Sequence, residues 1–370
     1  MAYNYDQLAG LVGTTHTMYP KQELTITWDS HRYEAARIFN QESIKKQGGT
    51  SITGKAILSP QGNARFTGYY DKDDLAQGET LHTYNMPWCR FTTNWSWDEL
   101  EIIQNKSDPE GFIDLAKVKE MQAIWDLANL FEAALWQAPT NANDDKFPRG
   151  IPYYIRWMNK DTTTAGWVGK TIRYRDTSTG TNCSGIDSNV HPQWCNWADL
   201  YTAVDDDLMS RLRKAFMYTR FKAPLGATQF EKRAAAKRRV YTSFTVKQKL
   251  FDYLDAKDDM HTTKEALGRM VVSPDGGTDM LINGHDVVEI DTLESQTDPE
   301  TTDSPESIYC VDFAHLMPVV YSGYWMQTRG PVHGGTQQHT VFTMFKDGAF
   351  NILCDSPRQA GFVLHKALTA

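Results

Sequence analysis

The chain has 370 residues, 41% of them hydrophobic and 23% charged. That profile fits a globular chain of roughly two or three domains and excludes a disulfide-stapled miniprotein, a collagen-like fibre and wholesale disorder. A formal net charge of −8 argues against a dedicated nucleic-acid binder, since neutralising phosphates takes a surplus of Lys and Arg.

Residues 1–22 lack periodicity and read as an extended arm, followed by a short alternating stretch at Leu24, Ile26 and Trp28. Neither a basic, apolar leader nor a run of about 18 to 20 apolar residues occurs, so no secretory signal and no membrane partner are expected. A helix is expected over Asp29–Lys46, where Tyr33, Ala36 and Phe39 recur at steps of three, with Gly48 and Gly49 ending it. Ser51–Leu58 and Arg65–Tyr70 flank the turn residues Ser59-Pro-Gln-Gly-Asn63 and so predict a hairpin. Its flanks are weakly apolar, and two strands alone are marginal, so it should project and be stabilised from outside its own domain.

Thr83–Trp97 reads as buried strand interrupted at Pro87, with Trp97-Asp-Glu-Leu100 leading toward a helix. Asp108 as N-cap and Pro109 at the first helical position open a long helix that runs to about Gln137, before Pro139. Phe112, Leu115, Val118, Trp125, Ala128, Phe131 and Leu135 form its apolar stripe, broken by Gln122. Leu115, Trp125, Phe131 and Leu135 are thus expected in the core, and Trp125→Ala is expected to cost about 3 to 5 kcal/mol. Strands and loops follow to Trp197, then a helix over Leu200–Lys222 with Leu208, Leu212, Ala215 and Phe216 in register. Short strands are expected at Val240–Phe244, Met270–Val272, Met280–Ile282 and Val287–Ile290. The tail from Ile308 to Lys366 alternates apolar and polar residues and should return as strands, pairing near residues 80–100 or 150–170.

Chemistry-bearing patterns are incomplete throughout. His333 and His339 stand six apart on a Gly-rich segment, Cys183, His191 and Cys195 lack a short chelating pair, and Asp275–Asp279 lacks the later Glu of a calcium loop. Gly169-Lys-Thr171 has Thr164 where a phosphate loop needs Gly, and neither GxGxxG nor GxSxG occurs. No catalytic residue, cofactor or metal ligand is therefore assigned, and the five scattered cysteines read as reduced thiols. Aromatic residues make up 12% of the chain, a surplus of the kind that interfaces bury. Charge falls in blocks: residues 220–249 hold nine bases, among them Arg233, Arg238 and Arg239, against one acid. Residues 286–312 hold nine acids, among them Glu289, Asp291 and Glu294, and no base. The blocks read either as two solvated faces or as complementary surfaces that meet between copies of the chain, in which case assembly should weaken with salt.

The order of these segments resembles the major capsid proteins of tailed bacteriophages with the Hong Kong 97 type fold, from about residue 30 to residue 366. The most specific pieces are Trp97-Asp-Glu-Leu-Glu101, the helix end Ala134-Leu-Trp136 followed by Gly150-Ile-Pro152, and Gly185-Ile-Asp187 before the Trp-rich segment. The resemblance implies an α+β fold with an N-terminal arm (1–46), an extended E-loop (47–80), a peripheral P-domain (81–169 and 311–370, with spine helix 109–137) and an axial A-domain (170–310). It implies a structural protein of the virion rather than an enzyme, one that assembles in the host cytoplasm into hexamers and pentamers forming an icosahedral head shell. Expected partners are copies of itself, a scaffolding protein, a portal protein, a decoration protein, and packaged DNA through non-specific contact. Lys55, Arg65, Tyr69, Tyr70 and Lys72 of the E-loop are expected at inter-subunit contacts, and the charge blocks likewise. Because Met1 lies just before the arm, the scaffold is expected to be a separate protein or a segment absent from this chain. No motif marks a crosslinking partner for Lys55 or Lys72. The rival reading is a carbohydrate-binding or adhesive virion protein, which would also use many aromatics but would be readily monomeric.

Overall fold

The computed structural model describes residues 33–58, 63–72, 81–104, 109–159, 161–221, 237–258, 280–334 and 338–368. The expected arm, the strand near Trp28, the Asp108 cap, Arg233, the strand at 270–272 and the Asp275–Asp279 turn lie outside these residues, as does the side chain of Leu115.

Helix α1 (Glu34–Glu42) buries Ala35, Ile38 and Phe39 on one face. It is shorter than expected because Ser43 is extended and the next residues form strand β1 (Ile44–Lys46). Strand β2 (Ser51–Ile57) pairs antiparallel with β3 (Leu81–Pro87), and this corrects the hairpin expected between Ser51–Leu58 and Arg65–Tyr70. The reason is burial: Ile52 lies opposite Met86, both fully buried, with Tyr84 inward beside them. Arg65–Tyr70 is exposed throughout and has no inward face to offer β2. The partner of β2 is therefore a strand that begins at Leu81 rather than at Arg65.

Strand β4 (Cys89–Asp98) and helix α2 (Glu99–Gln104) lead to the long helix α3 (Pro109–Leu135). The inward line of α3 is Ala123, Leu127, Phe131, Ala134 and Leu135, at steps of three and four. Trp125 falls off this line and is only half-buried, its indole N–H donating to the Tyr33 hydroxyl at 2.5 Å, which corrects its expected place in the core. The small Ala123 and Ala134 let the helix sit close, and that sets the rotation. Phe131 meets Phe39, Phe91 and Phe350 at ring centroids of 4.8 to 5.4 Å, mostly edge-on, with Trp325 stacked beyond. Gly348 lies directly opposite Phe91, and a Cβ there would fall 2.2 Å from the ring, so glycine is what lets Phe91 lie across the strand.

Helix α4 (Ile151–Tyr154) follows Gly150, where a Cβ would fall 2.2 Å from the Gln137 carbonyl, so this chain segment crosses the end of α3 in close contact. Short strands β5 (Gly166–Gly169), β6 (Ile172–Arg173), β7 (Thr179–Gly180), β8 (Asn182–Cys183) and β9 (Ile186–Asp187) lead to β10 (Asn196–Tyr201). Helix α5 (Asp206–Tyr218) begins later than expected, because Leu200 belongs to β10 and Asp205 is the N-cap, accepting from the Asp207 N–H at 2.8 Å. Strand β11 (Arg238–Thr242) and helix α6 (Phe244–Asp258) follow, then β12 (Met280–Ile282), β13 (His285–Glu289), α7 (Asp291–Glu294), β14 (Ile308–Asp312), β15 (Leu316–Tyr321), β16 (Gln327–Gly334), β17 (Gln338–Cys354), α8 (Pro357–Ala360) and β18 (Gly361–Lys366).

Two large sheets organise most of these strands, while β2–β3, β6–β7 and β8–β9 form separate two-stranded sheets. In one large sheet, β17 pairs with β4, β15 and β16, and β1 joins β15, so the expected pairing of the tail with residues 80–100 occurs through β17 on β4. The other runs β12-β13-β11-β14-β18-β10-β5. Residues 166–169 and 361–366, grouped above with the peripheral domain, thus share a sheet with β10 to β14. Period-two alternation gives this sheet two buried faces. Trp197, Val240, Cys310 and Phe362 pack under α5 and α6. Ala198, Tyr241, Tyr309 and Val363 face the core that holds Trp136 and the end of α3.

Glu132 ties α1 to α3 inside that core. It accepts from the Ala35 N–H at 2.7 Å and from the Trp136 indole N–H at 2.8 Å. Burial pushes its carboxyl from the ordinary 4.5 up to about 7, the two hydrogen bonds opposing and the Glu34 charge adding. The native state therefore binds more protons than the unfolded chain between these values, and stability must fall as pH rises through that window. The contribution is at most roughly 3 kcal/mol. Denaturant midpoints at pH 5 and pH 8 are expected to differ more for the wild-type chain than for Glu132→Gln, which cannot ionise; equal differences would contradict this.

Candidate functional site

The most exposed large apolar side chains among the described residues lie between β2 and β3. Phe66, Tyr69 and Tyr70 are 98 to 108% exposed, and Ile57 at the end of β2 is 75% exposed. The segment around them has its own fixed geometry. The Gly68 N–H donates to Asp71 Oδ2 at 2.6 Å, and the Arg65 guanidinium donates to the Lys72 carbonyl. Tyr70 sits at a φ of 70°, a left-handed conformation that a bulky residue adopts only under constraint. Lys55, Arg65 and Lys72 are exposed beside the aromatics. The structure leaves the five residues expected at contacts exposed, Lys55 on β2 and Arg65, Tyr69, Tyr70 and Lys72 between β2 and β3. It adds Phe66 and Ile57, which a count of apolar residues in Arg65–Tyr70 and β2 would have found. Large apolar side chains grouped at full exposure mark an interaction surface.

The charge blocks behave differently. β11 runs between β13 and β14, so its bases lie beside strands that carry the acids. Arg238 is in register with Asp312 and meets it at 3.4 Å, and it also donates to the Thr219 carbonyl at 2.6 Å. Lys247, itself buried, pairs with Glu289, and Lys249 pairs with Glu306 at 3.0 Å. Arg239 reaches Glu34 at 3.4 Å, and Glu294 accepts from the Thr245 N–H at 3.1 Å. Asp291 is exposed at the start of α7. Arg238, Arg239, Glu289 and Glu294 thus each have a partner within the same chain, so their charges are met without a neighbouring copy. Arg238→Glu would set a carboxylate against buried Asp312 and is expected to destabilise the subunit by about 3 to 5 kcal/mol, at low and high salt alike. A denaturation midpoint that recovers fully at high salt would contradict this.

Among the described residues, no three His, Cys, Asp or Glu side chains gather as a metal-binding group. The five cysteines are buried free thiols, and burial pushes those of Cys89 and Cys310 up to about 12, so neither is a nucleophile at neutral pH. His191 lies against the His82 ring, centroids 4.2 Å apart, and His333 against Phe342. Among the described residues no helix is long and apolar enough to cross a membrane.

The fold has known counterparts. The chain superposes on a chain of the capsid asymmetric unit of Cyanophage A-1(L) with a TM-score of 0.56 at 11% identity, covering 96% of this chain and 98% of that one. It is similar to a chain of the native GTA particle capsid, with a TM-score of 0.50, 11% identity and 95% and 96% coverage. It is likewise similar to a chain of the capsid of Myoviridae Phage XM1, at 0.50, 10%, 94% and 97%. The chain therefore has a viral capsid-like, mixed α+β fold. No protein-family model and no curated protein sequence matches it.

Proposed function

We propose that the chain is the major capsid protein of a tailed bacteriophage, of the Hong Kong 97 type, and that it builds the icosahedral head shell from hexamers and pentamers. The observation that carries this reading is end-to-end likeness to capsid chains over nearly the whole of both chains, at 96% and 98% coverage. The fully exposed aromatic tip at Phe66, Tyr69 and Tyr70 supports it, since a side-chain group of this kind is stable only when a neighbour covers it.

In this reading residues 1–46 are the N-terminal arm, and the excursion between β2 and β3 is the E-loop, with β3 as its returning strand. The first sheet with α3 is the peripheral domain, α3 serving as spine helix with Phe131 and Leu135 in its core. The second sheet with α5 and α6 is the axial domain. The E-loop side chains Lys55, Arg65, Tyr69, Tyr70 and Lys72 contact adjacent subunits. Scaffolding, portal and decoration proteins are the further partners, DNA touches the inner surface without sequence preference, and the protein resides in the virion after assembly in the host cytoplasm. Sedimentation of the purified protein tests the reading: discrete five- or six-fold oligomers, or closed particles, are expected. A monomer at all concentrations would favour the adhesive alternative.

A further inference from the structure

A cleft of about 260 Å³, lined by both polar and apolar groups, opens between the end of α3, helix α4, strand β6 and helix α7. Arg156, Arg173 and Arg175 line it together with Trp157, Thr292, Gln296 and Tyr309. Its floor is unusual in hydrogen bonding. Tyr309 is fully buried and Trp157 nearly so, yet the Tyr309 hydroxyl, the Trp157 indole N–H, the Thr292 hydroxyl and the Gln296 carbonyl oxygen have no partner of ordinary geometry. The Tyr309 hydroxyl nevertheless lies within weak hydrogen-bonding reach of Gln296, Ser307 and Trp157. These groups converge on one region with no hydrogen bond of ordinary geometry among them, and buried polar atoms are rarely left so weakly paired.

The charge in the cleft is also incomplete. Arg173 is neutralised by Asp298, at 2.5 Å to both carboxylate oxygens, with Glu300 at 3.4 Å. Arg156 is 1% exposed, and among the described residues no carboxylate lies within ion-pair distance of it. Its guanidinium donates to the Lys170 carbonyl, to the Ser188 hydroxyl at 2.8 Å and to the Trp194 carbonyl at 2.9 Å, and its Nε donates to nothing. Arg175, whose own bonds go to neutral Gln137 and Thr140, adds a second positive charge at the rim. Water in the cleft would satisfy the dipoles, but it would leave the Arg156 charge buried without a counter-ion, an arrangement proteins avoid.

The geometry points to a binding site for a small oxyanion, a carboxylate or a phosphate, held by Arg156 and the Tyr309 and Trp157 donors. The volume suits it: a water takes about 30 Å³, so the cleft accommodates an oxyanion with several waters. Charge-assisted donors of this kind bind oxyanions by two or more parallel bonds. The inference does not depend on the capsid reading, because it rests on the cleft alone.

The test is a titration of the folded protein with inorganic phosphate and, separately, with acetate, each against chloride at matched ionic strength, read by intrinsic tryptophan fluorescence and thermal midpoint. A saturable response to phosphate or acetate and not to chloride is expected, and which of the two saturates first assigns the source as phosphate or carboxylate. Tyr309→Phe removes a hydroxyl that makes no hydrogen bond of ordinary geometry, so its midpoint in chloride should stay close to that of the wild-type chain. Its oxyanion affinity should fall about fivefold, the loss of one hydrogen bond. Arg156→Gln should lose more than about tenfold, as a charged partner is removed; if that variant does not fold, Tyr309→Phe carries the test. A response equal to that in chloride, or affinity unchanged in Tyr309→Phe, would overturn the site.

Discussion

Trp136→Ala is expected to cost about 3 to 5 kcal/mol, a large share of a typical domain's margin of about 5 to 15 kcal/mol. Trp136 is 1% exposed and stands at the join between the two sheets. Its ring meets Tyr241 of β11 edge-on at 4.9 Å and Tyr309 of β14 at 6.2 Å, while its indole N–H donates to Glu132. Truncation would remove the ring that connects α3 to the seven-stranded sheet and would also deprive buried Glu132 of a donor. Chemical denaturation should show the midpoint falling steeply. Trp125→Ala, at a half-buried position, should cost clearly less. If the two variants melt alike, the rotation of α3 described above is wrong.

The second large effect concerns assembly rather than folding. Replacing Phe66, Tyr69 and Tyr70 together by Ser should leave the thermal midpoint of the isolated subunit nearly unchanged, because these side chains bury nothing within the chain. Relief of the left-handed Tyr70 conformation is not expected, since Ser at a φ of 70° is also disfavoured. Oligomers and particles, in contrast, should be lost, because aromatic anchors carry a large share of interface energy. A variant that assembles like the wild-type chain would show that the tip is not buried by a neighbour.

Much of this fold was legible in the sequence where a pattern was both long and locally determined. The long helix begins at Pro109 as expected, because proline fixes the backbone angle and lacks the N–H that a first turn leaves unpaired. The β3–β4 stretch and the alternating tail were also legible, because period-two burial needs no knowledge of the partner strand. Pairing was not. Turn residues at 59–63 suggested a local hairpin, but the strand with an inward face complementary to Ile52 lies at 81–87. The helix at 244–258 went unread although Val246, Leu250 and Leu254 recur at steps of four, since β-branched residues nearby suited a strand equally well. The rotation of α3 was hidden too: Trp125 and Leu127 both look apolar, and only packing through Ala123 and Ala134 decides between them.

The contact surface was half legible for a related reason. Weak apolarity marks a segment that needs outside support, and Lys55, Arg65, Tyr69, Tyr70 and Lys72 are all exposed. Charge blocks carry less information than exposed aromatics, because a block seen along the chain says nothing about which strand lies next to it. Arg238 and Asp312 are 74 residues apart and adjacent in the sheet.

The central claim is that copies of this chain close into a shell, each covering the loop tip of the next. Electron cryomicroscopy of the assembled protein tests it most directly. The account predicts closed particles with five- and six-fold rings, in which Phe66, Tyr69 and Tyr70 of each copy are buried against an adjacent subunit. Dispersed single subunits with that tip in solvent, or particles in which it contacts only its own chain, would contradict it.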